Sequence, residues 1–370
     1  MIYLDANATT PMKPAVRAAI AEAMERHGNP SSAHRYGRIA RRYVDDARAA
    51  VAALVGAKPA EVIFTGSGSE ANNLILGNFE SPITSTVEHD SVMAFSAPKN
   101  RLPVTRDGVV DRAAAKQIFM SAPKGSLVSV MLANNETGVI NPIAELASLA
   151  KEYGLIFHTD AVQAAGRLPI DFAAMGVDAL TISAHKIGGP QGMGALVVKK
   201  SLCLRSLIRG GGQERNRRAG TENVAGIVGF GIAAQLAADD LRDSLRLGAL
   251  RDKLQKTLER LGGNDVIVIG AKAPRIANTL SIALSNIDGE TQVAAMDLSG
   301  IAVSAGAACS SGKVKKSHVL SAMGYGNDVA GCALRISLGW HTESKDIDRC
   351  IEAWYDLYQR THALRQTQAA

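Results

Sequence analysis

Aromatic side chains are scarce in this chain, at 4% of its residues. Surfaces that hold single-stranded nucleic acid alternate basic groups with stacking aromatics. The short basic clusters Arg38/Arg41/Arg42, Arg215/Arg217/Arg218 and Lys313/Lys315/Lys316 therefore read as solvated surface, although the formal net charge is +6. Cysteine is equally sparse: Cys203, Cys309, Cys332 and Cys350 lie far apart with no C-x-x-C pair. That argues against a disulfide framework and a structural zinc, and each thiol must be read singly. A long hydrophobic run is also missing. The longest uncharged stretch, residues 224–238, contains three glycines and Gln235 and falls short of the roughly 18–20 apolar residues of a membrane span, so it reads as a buried helix. Asp5 interrupts the first apolar residues, the pattern of a secretory signal is absent, and a cytoplasmic protein without a membrane partner is expected.

What is present is the composition of a structured globule. With 46% apolar and 21% charged residues in 370 positions, there is core enough for two domains of about 100–200 residues each. Apolar runs at 62–64, 127–132, 155–157, 179–182 and 195–198 alternate with helical periodicity at 13–26, 32–54 and 143–153. That is the βαβ rhythm of a largely parallel sheet. Helical periodicity also runs over 224–261, a length that predicts two segments. Beyond it, residues 266–269, 278–284, 303–304 and 334–338 predict strands of a second, small sheet, with helices over 317–323 and 345–362. The expected fold class is α/β: a large domain over 15–255 with a mostly parallel sheet flanked by helices, and a smaller α+β domain made of 1–14 and 256–370.

The run Thr65-Gly66-Ser67-Gly68-Ser69-Glu70 joins a strand to a helix. Such a turn aims free N–H groups and the positive end of the helix dipole at an anion, most often a phosphate. No lysine follows, so it is not a Walker A loop. It does fit G-x-G-x-x-A, and Glu88 follows Gly68 at about the 20 residues that separate a dinucleotide fold's glycines from its ribose-binding acid. A dinucleotide oxidoreductase is thus one reading. Two other strand ends favour another: His158-Thr159-Asp160 follows one apolar strand, and Ser183-Ala184-His185-Lys186, before a glycine-rich uncharged stretch, follows the next. Ligands of parallel α/β sheets bind at the carboxyl ends of strands. A poorly solvated lysine amine loses its proton more easily and becomes a nucleophile toward carbonyls. An acid for a pyridine nitrogen, a reactive lysine and a phosphate cup together make a pyridoxal phosphate site, and a nicotinamide needs no such lysine.

With these residues, and with Tyr3-Leu4-Asp5-Ala6-Asn7-Ala8-Thr9-Thr10-Pro11, Gly28-Asn29-Pro30-Ser31-Ser32, Asn134-Asn135-Glu136-Thr137-Gly138 and Leu334-Arg335-Ile336-Ser337-Leu338-Gly339, the chain resembles cysteine desulfurases of the NifS/IscS family. These are class V, fold type I pyridoxal phosphate enzymes. The resemblance implies that Lys186 holds the cofactor covalently, Asp160 pairs with its ring nitrogen, Gln163 bonds its phenolic oxygen and His89 stacks on its face. It further implies that Gly68, Ser69, Ser183 and His185 bind the phosphate, while Thr221 is lent to the phosphate site of a neighbouring subunit in a homodimer. Arg335, a planar charged fork suited to a carboxylate, would bind the substrate L-cysteine together with Asn135.

Cys309 is the candidate sulfur acceptor: it lies in a small-residue, glycine-bounded stretch expected to form a mobile loop, near lysines and His318 that favour a thiolate. The other three cysteines sit among apolar residues and are expected in the core. The implied products are alanine and a persulfide on Cys309, whose usual acceptor is an IscU/NifU-like iron–sulfur scaffold. Lys313-Val314-Lys315-Lys316 stands where relatives often carry an acidic residue and a proline, which bears on that partner. A selenocysteine lyase or an aminotransferase is the alternative within the fold, separable by whether alanine forms from cysteine and whether Cys309 is needed.

Overall fold

The computed structural model describes residues 1–305 and 316–369, with side chains through Thr361. Its strands are β1 (Ile2–Tyr3), β2 (Val62–Thr65), β3 (Ile83–Ser85), β4 (Arg101–Leu102), β5 (Leu127–Ser129), β6 (Ile156–Asp160), β7 (Ala179–Ser183), β8 (Gly194–Val198), β9 (Val266–Val268), β10 (Thr279–Leu284), β11 (Ile301–Ala302), β12 (Ser304–Ala305) and β13 (Ala333–Ser337). Seven of them form one sheet in the order β2-β8-β7-β6-β5-β3-β4. The pairs from β7 to β4 are parallel, and β8 runs antiparallel to both neighbours. Every residue of β2, β7 and β8 is buried, as expected of strands covered by helices on both faces. A second, antiparallel sheet has the order β12-β13-β10-β9, and β1 pairs with β11 beside it.

Each sheet has its own apolar core, and one helix serves both. Val224–Gly262 runs 39 residues without interruption, where its length predicted two segments. Phe230, Ala233 and Ala234 pack in the core of the large sheet, Leu254 and Leu258 in that of the small one. The glycines near its start are contact points, not breaks: a Cβ on Gly229 would stand 2.6 Å from Ile20, and one on Gly231 2.7 Å from Ala47. Tertiary packing has outweighed the helix cost of glycine, about 1 kcal/mol per residue. The segment is long and apolar enough to cross a membrane by length and composition, yet its apolar start is covered by the helices Pro14–Met24 and Arg35–Leu54.

Candidate active site

The carboxyl ends of β2, β6 and β7 open on one cleft of about 230 Å³. At β2, Ser67 caps the helix Gly68–Leu76, its hydroxyl accepting from Glu70 N at 3.1 Å. The Glu70 carboxylate takes Gly66 N at 2.7 Å and is itself held by Arg218. The amides of Gly68 and Ser69 keep no partner among the described residues, so two orphan donors at the positive end of a helix face the cleft. The cup requires its glycines. A Cβ on Gly194, in the neighbouring strand, would lie 2.4 Å from Ser67 C and 2.7 Å from Gly68 N, and one on Gly68 3.0 Å from Val162. Behind the cup, Arg48 and Glu214 form a buried bidentate pair at 2.7 Å, and Glu214 also accepts Phe64 N at 3.0 Å. That network holds the left-handed run Glu214-Arg215-Asn216 (φ 47–63°) against β2.

Asp160 ends β6, nearly buried, with both oxygens in use: Oδ1 accepts Val162 N at 2.9 Å and Oδ2 accepts Asn72 Nδ2 at 2.8 Å. Asn72 also donates to Ser91 Oγ at 3.0 Å. Ser91 in turn contacts His89, its backbone N–H donating to Nδ1 at 3.1 Å. One amide thus ties the acid to the histidine. The sequence reading passed over Asn72; its signal was a polar residue on the buried face of the helix Gly68–Leu76, one turn beyond Gly68.

Past β7, Lys186 Nζ donates to the carbonyls of Asn7 and Ala8 at 2.6 and 2.8 Å. Gln163 Nε2 reaches the same Asn7 oxygen at 2.9 Å, so the N-terminal loop forms one wall of the cleft. His185 Nδ1 meets Thr9 Oγ1 at 2.6 Å. Burial, then Lys186 and Arg167, pull its pKa down to about 4, so the ring is neutral at neutral pH. Arg335, on β13 and buried, pairs through one nitrogen with Asp5 at 2.8 Å and through another with Asn135 O at 3.2 Å, while its Nε, also buried, has no partner among the described residues. Ser304 Oγ holds the second Asp5 oxygen at 2.8 Å.

Gly68, Ser69, His89, Asn135, Asp160, Gln163, Ser183, His185, Lys186 and Arg335 all line this cleft. Thr221 does not; it is exposed, three residues before the long helix. Cys309, with residues 306–315, lies outside the described residues. Cys332 and Cys350 are buried, and burial pushes the Cys350 thiol up to about 12. Cys203 is a correction to the expected core position. It is exposed in the irregular segment after β8, where Leu202 and Leu204 on either side take the apolar contacts and turn it outward. Glu88, the acid a dinucleotide fold would set on a ribose, is sealed away from the cleft. Its Oε1 accepts Ser85 Oγ at 2.5 Å and Met131 N at 2.8 Å, and burial raises its pKa to about 8.

An amine, an acid and an anion cup gathered at strand ends of a mostly parallel α/β sheet define an enzyme of the fold type I transferase class. The chain belongs to the aminotransferase class-V family, whose model matches residues 2–350. It is 40% identical to the cysteine desulfurase IscS of Dictyoglomus turgidum over 95% of this chain and 93% of the relative. Among solved structures, a NifS-like protein from Rickettsia africae is similar at TM-score 0.91 and 38% identity, over 97% of this chain and 99% of that one. SspA in complex with cysteine is similar at TM-score 0.77 and 28% identity, over 91% and 99%.

Proposed function

We propose that this chain is a pyridoxal phosphate-dependent cysteine desulfurase, a cytoplasmic homodimer that releases alanine from L-cysteine and passes the sulfur through a Cys309 persulfide to an iron–sulfur scaffold protein. The observation that carries the reading is the convergence of Lys186, Asp160 and the partnerless Gly68 and Ser69 amides on one cleft. Their donor set fits the cofactor: anion donors at one end, a lysine amine at the other, and between them a carboxylate whose two oxygens are already oriented by Asn72 and Val162 N. When bound, pyridoxal phosphate supplies an electron sink at the substrate α-carbon.

The protein's own residues supply the rest. Lys186, released from the Asn7 and Ala8 carbonyls, is the base that moves the α-proton. Arg335 is the cation that receives the substrate carboxylate, with Asp5 and Asn135 O fixing the plane of its fork. His89 closes one face of the cleft. The thiolate of Cys309 takes the substrate sulfur, whose bond to carbon breaks as the new S–S bond forms. Both described flanks of that segment support its role. Ser304 stands in register with Arg335, and His318 Nε2 meets the carbonyl of Glu88, next to His89, at 2.9 Å. Exposed Thr221 suits a contribution to the partner subunit. A division into a large and a small domain is supported by the two cores and by β1 pairing with β11, with the long helix contributing Leu254, before the proposed boundary at 255, to the small sheet's core. Alanine release from L-cysteine by protein carrying a borohydride-sensitive visible band tests the whole reading; cofactor binding without alanine would move it to another reaction of the class.

Asp160→Asn is expected to retain cofactor but lose turnover by roughly a hundredfold or more, the scale of removing one preorganised electrostatic partner. An amide also has only one oxygen for the two donors that Asp160 satisfies, so a stability loss of about 1–3 kcal/mol accompanies it. Steady-state alanine release and a thermal melt read the two effects, and near-normal turnover would assign the ring's charge to another group. Gly194→Ala tests the cup. Its new Cβ meets backbone atoms that cannot rotate away, an overpacking cost of about 1–3 kcal/mol that also displaces the Gly68 amide. Equilibrium dialysis should show weaker cofactor binding; unchanged affinity would mean that the loop shifts freely.

A further inference from the structure

Arg167 stands four residues beyond Gln163 in the turns after β6, half-buried, and has no carboxylate partner among the described residues. Its donors go to oxygens of the elements that build the site. They reach the Gln163 side-chain oxygen, the Gln163 carbonyl at 3.2 Å, the Ala6 carbonyl at 3.3 Å and the Lys186 carbonyl at 3.4 Å. A guanidinium only donates, so the end of the Gln163 amide that faces it is Oε1. The nitrogen end is thereby turned the other way, where one of its two hydrogens goes to Asn7 O at 2.9 Å. Gln163 lines the cleft, and its second N–H is paired with nothing among the described residues.

We propose that Arg167 is a positioning residue of the desulfurase site: it locks Gln163 with its amide nitrogen toward the cleft and, as a positive charge behind Lys186, favours the anionic form of the bound cofactor's ring oxygen. The inference rests on the pyridoxal phosphate reading above. Without Arg167, Gln163 could flip and present an acceptor to the same oxygen, turning an attraction into a repulsion. Five charged or titratable groups face Arg167: Lys186 and His185 from the turn after β7, Arg335 from β13, and Asp240 and Asp243 from the long helix, the last paired with Arg246 at 2.6 Å. Asp240 is already paired with Lys13 at 2.7 Å, so it does not neutralise the guanidinium. Burial and Arg335 lower the pKa of Arg167 to about 10, and it remains charged at neutral pH.

The test is a pH titration of the visible band in holoenzyme of the wild type, Arg167→Met and Arg167→Lys, with cofactor stoichiometry measured in parallel. Loss of a nearby positive charge and of an oriented donor makes the bound cofactor hold its proton more tightly. In Arg167→Met the midpoint is therefore expected to rise by about one unit. Arg167→Lys keeps the charge and a donor and should titrate close to the wild type, a rescue that a purely structural role does not require. A fully loaded Arg167→Met that titrates like the wild type overturns the proposal. Should Arg167→Met fail to fold, Arg167→Gln, which retains a donor for the loop carbonyls, carries the same expectation. Failure of both to fold would make Arg167 part of the scaffold alone and would also overturn it. A wild type that forms no visible band with pyridoxal phosphate removes the cofactor reading itself, a result distinct from an unchanged midpoint.

Discussion

Lys186→Ala is expected to give a folded protein that binds pyridoxal phosphate without a borohydride-reducible bond and releases no measurable alanine from L-cysteine. The lysine amine donates to two loop carbonyls, those of Asn7 and Ala8. Losing those bonds at a half-buried position costs on the order of 1 kcal/mol, too little to unfold the chain. The anion cup and Asp160 are untouched, so the cofactor is held, more weakly, by its phosphate and ring nitrogen. Chemistry suffers much more, because the base for the α-proton goes with the side chain, and a positioned base alone is worth roughly 10²–10⁴ in rate. A circular dichroism spectrum, a borohydride difference spectrum and alanine release measure the three effects. A reducible yellow species that survives in the variant would assign the covalent tie to another lysine.

Cys309→Ala separates the cofactor's chemistry from the sulfur's. The residues proposed to receive cysteine, Lys186, Asp160, His89 and Arg335, are all elsewhere. The variant should therefore still change its visible spectrum on adding cysteine, yet accumulate neither alanine nor persulfide. The remaining thiols are controls of different kinds. Cys350 is fully buried with its pKa raised to about 12, and Cys332 is buried with its pKa raised by burial, so neither supplies a thiolate at neutral pH. Cys203 is exposed and is the one described thiol that sulfur in solution could reach. Persulfide labelling is best done on Cys203→Ala as well, which should keep full turnover. Sulfur found on any cysteine other than Cys309 in working enzyme, or normal alanine release from Cys309→Ala, would sink the persulfide route.

Much of the candidate site was legible because each part is local. The cup is a strand, two glycines and a helix start; Asp160 and Lys186 each follow an apolar strand; and the rule that ligands sit at carboxyl ends of parallel strands brings them to one place without any knowledge of the rest. The two-sheet division was legible for a similar reason, since β9, β10 and β13 each announce themselves as short apolar runs after the long helix.

What the sequence by itself determined, then, is the inventory of elements and the residues at their ends, because these depend on chain neighbours within a turn or a strand. Tertiary structure decided whatever depends on partners far away in sequence. It kept Val224–Gly262 a single helix, since two cores bury its two halves and helices pack onto its glycines. It turned Cys203 outward by giving the apolar contacts to Leu202 and Leu204. It buried Glu88 against Ser85 and Met131, removing the acid that a dinucleotide would need. It also set Asn72 on Asp160 and Asp5 on Arg335, pairings that span 88 and 330 residues. No local pattern encodes them: a hydrogen bond between side chains is chosen by the position and orientation of two groups in space, and only the packed fold supplies both.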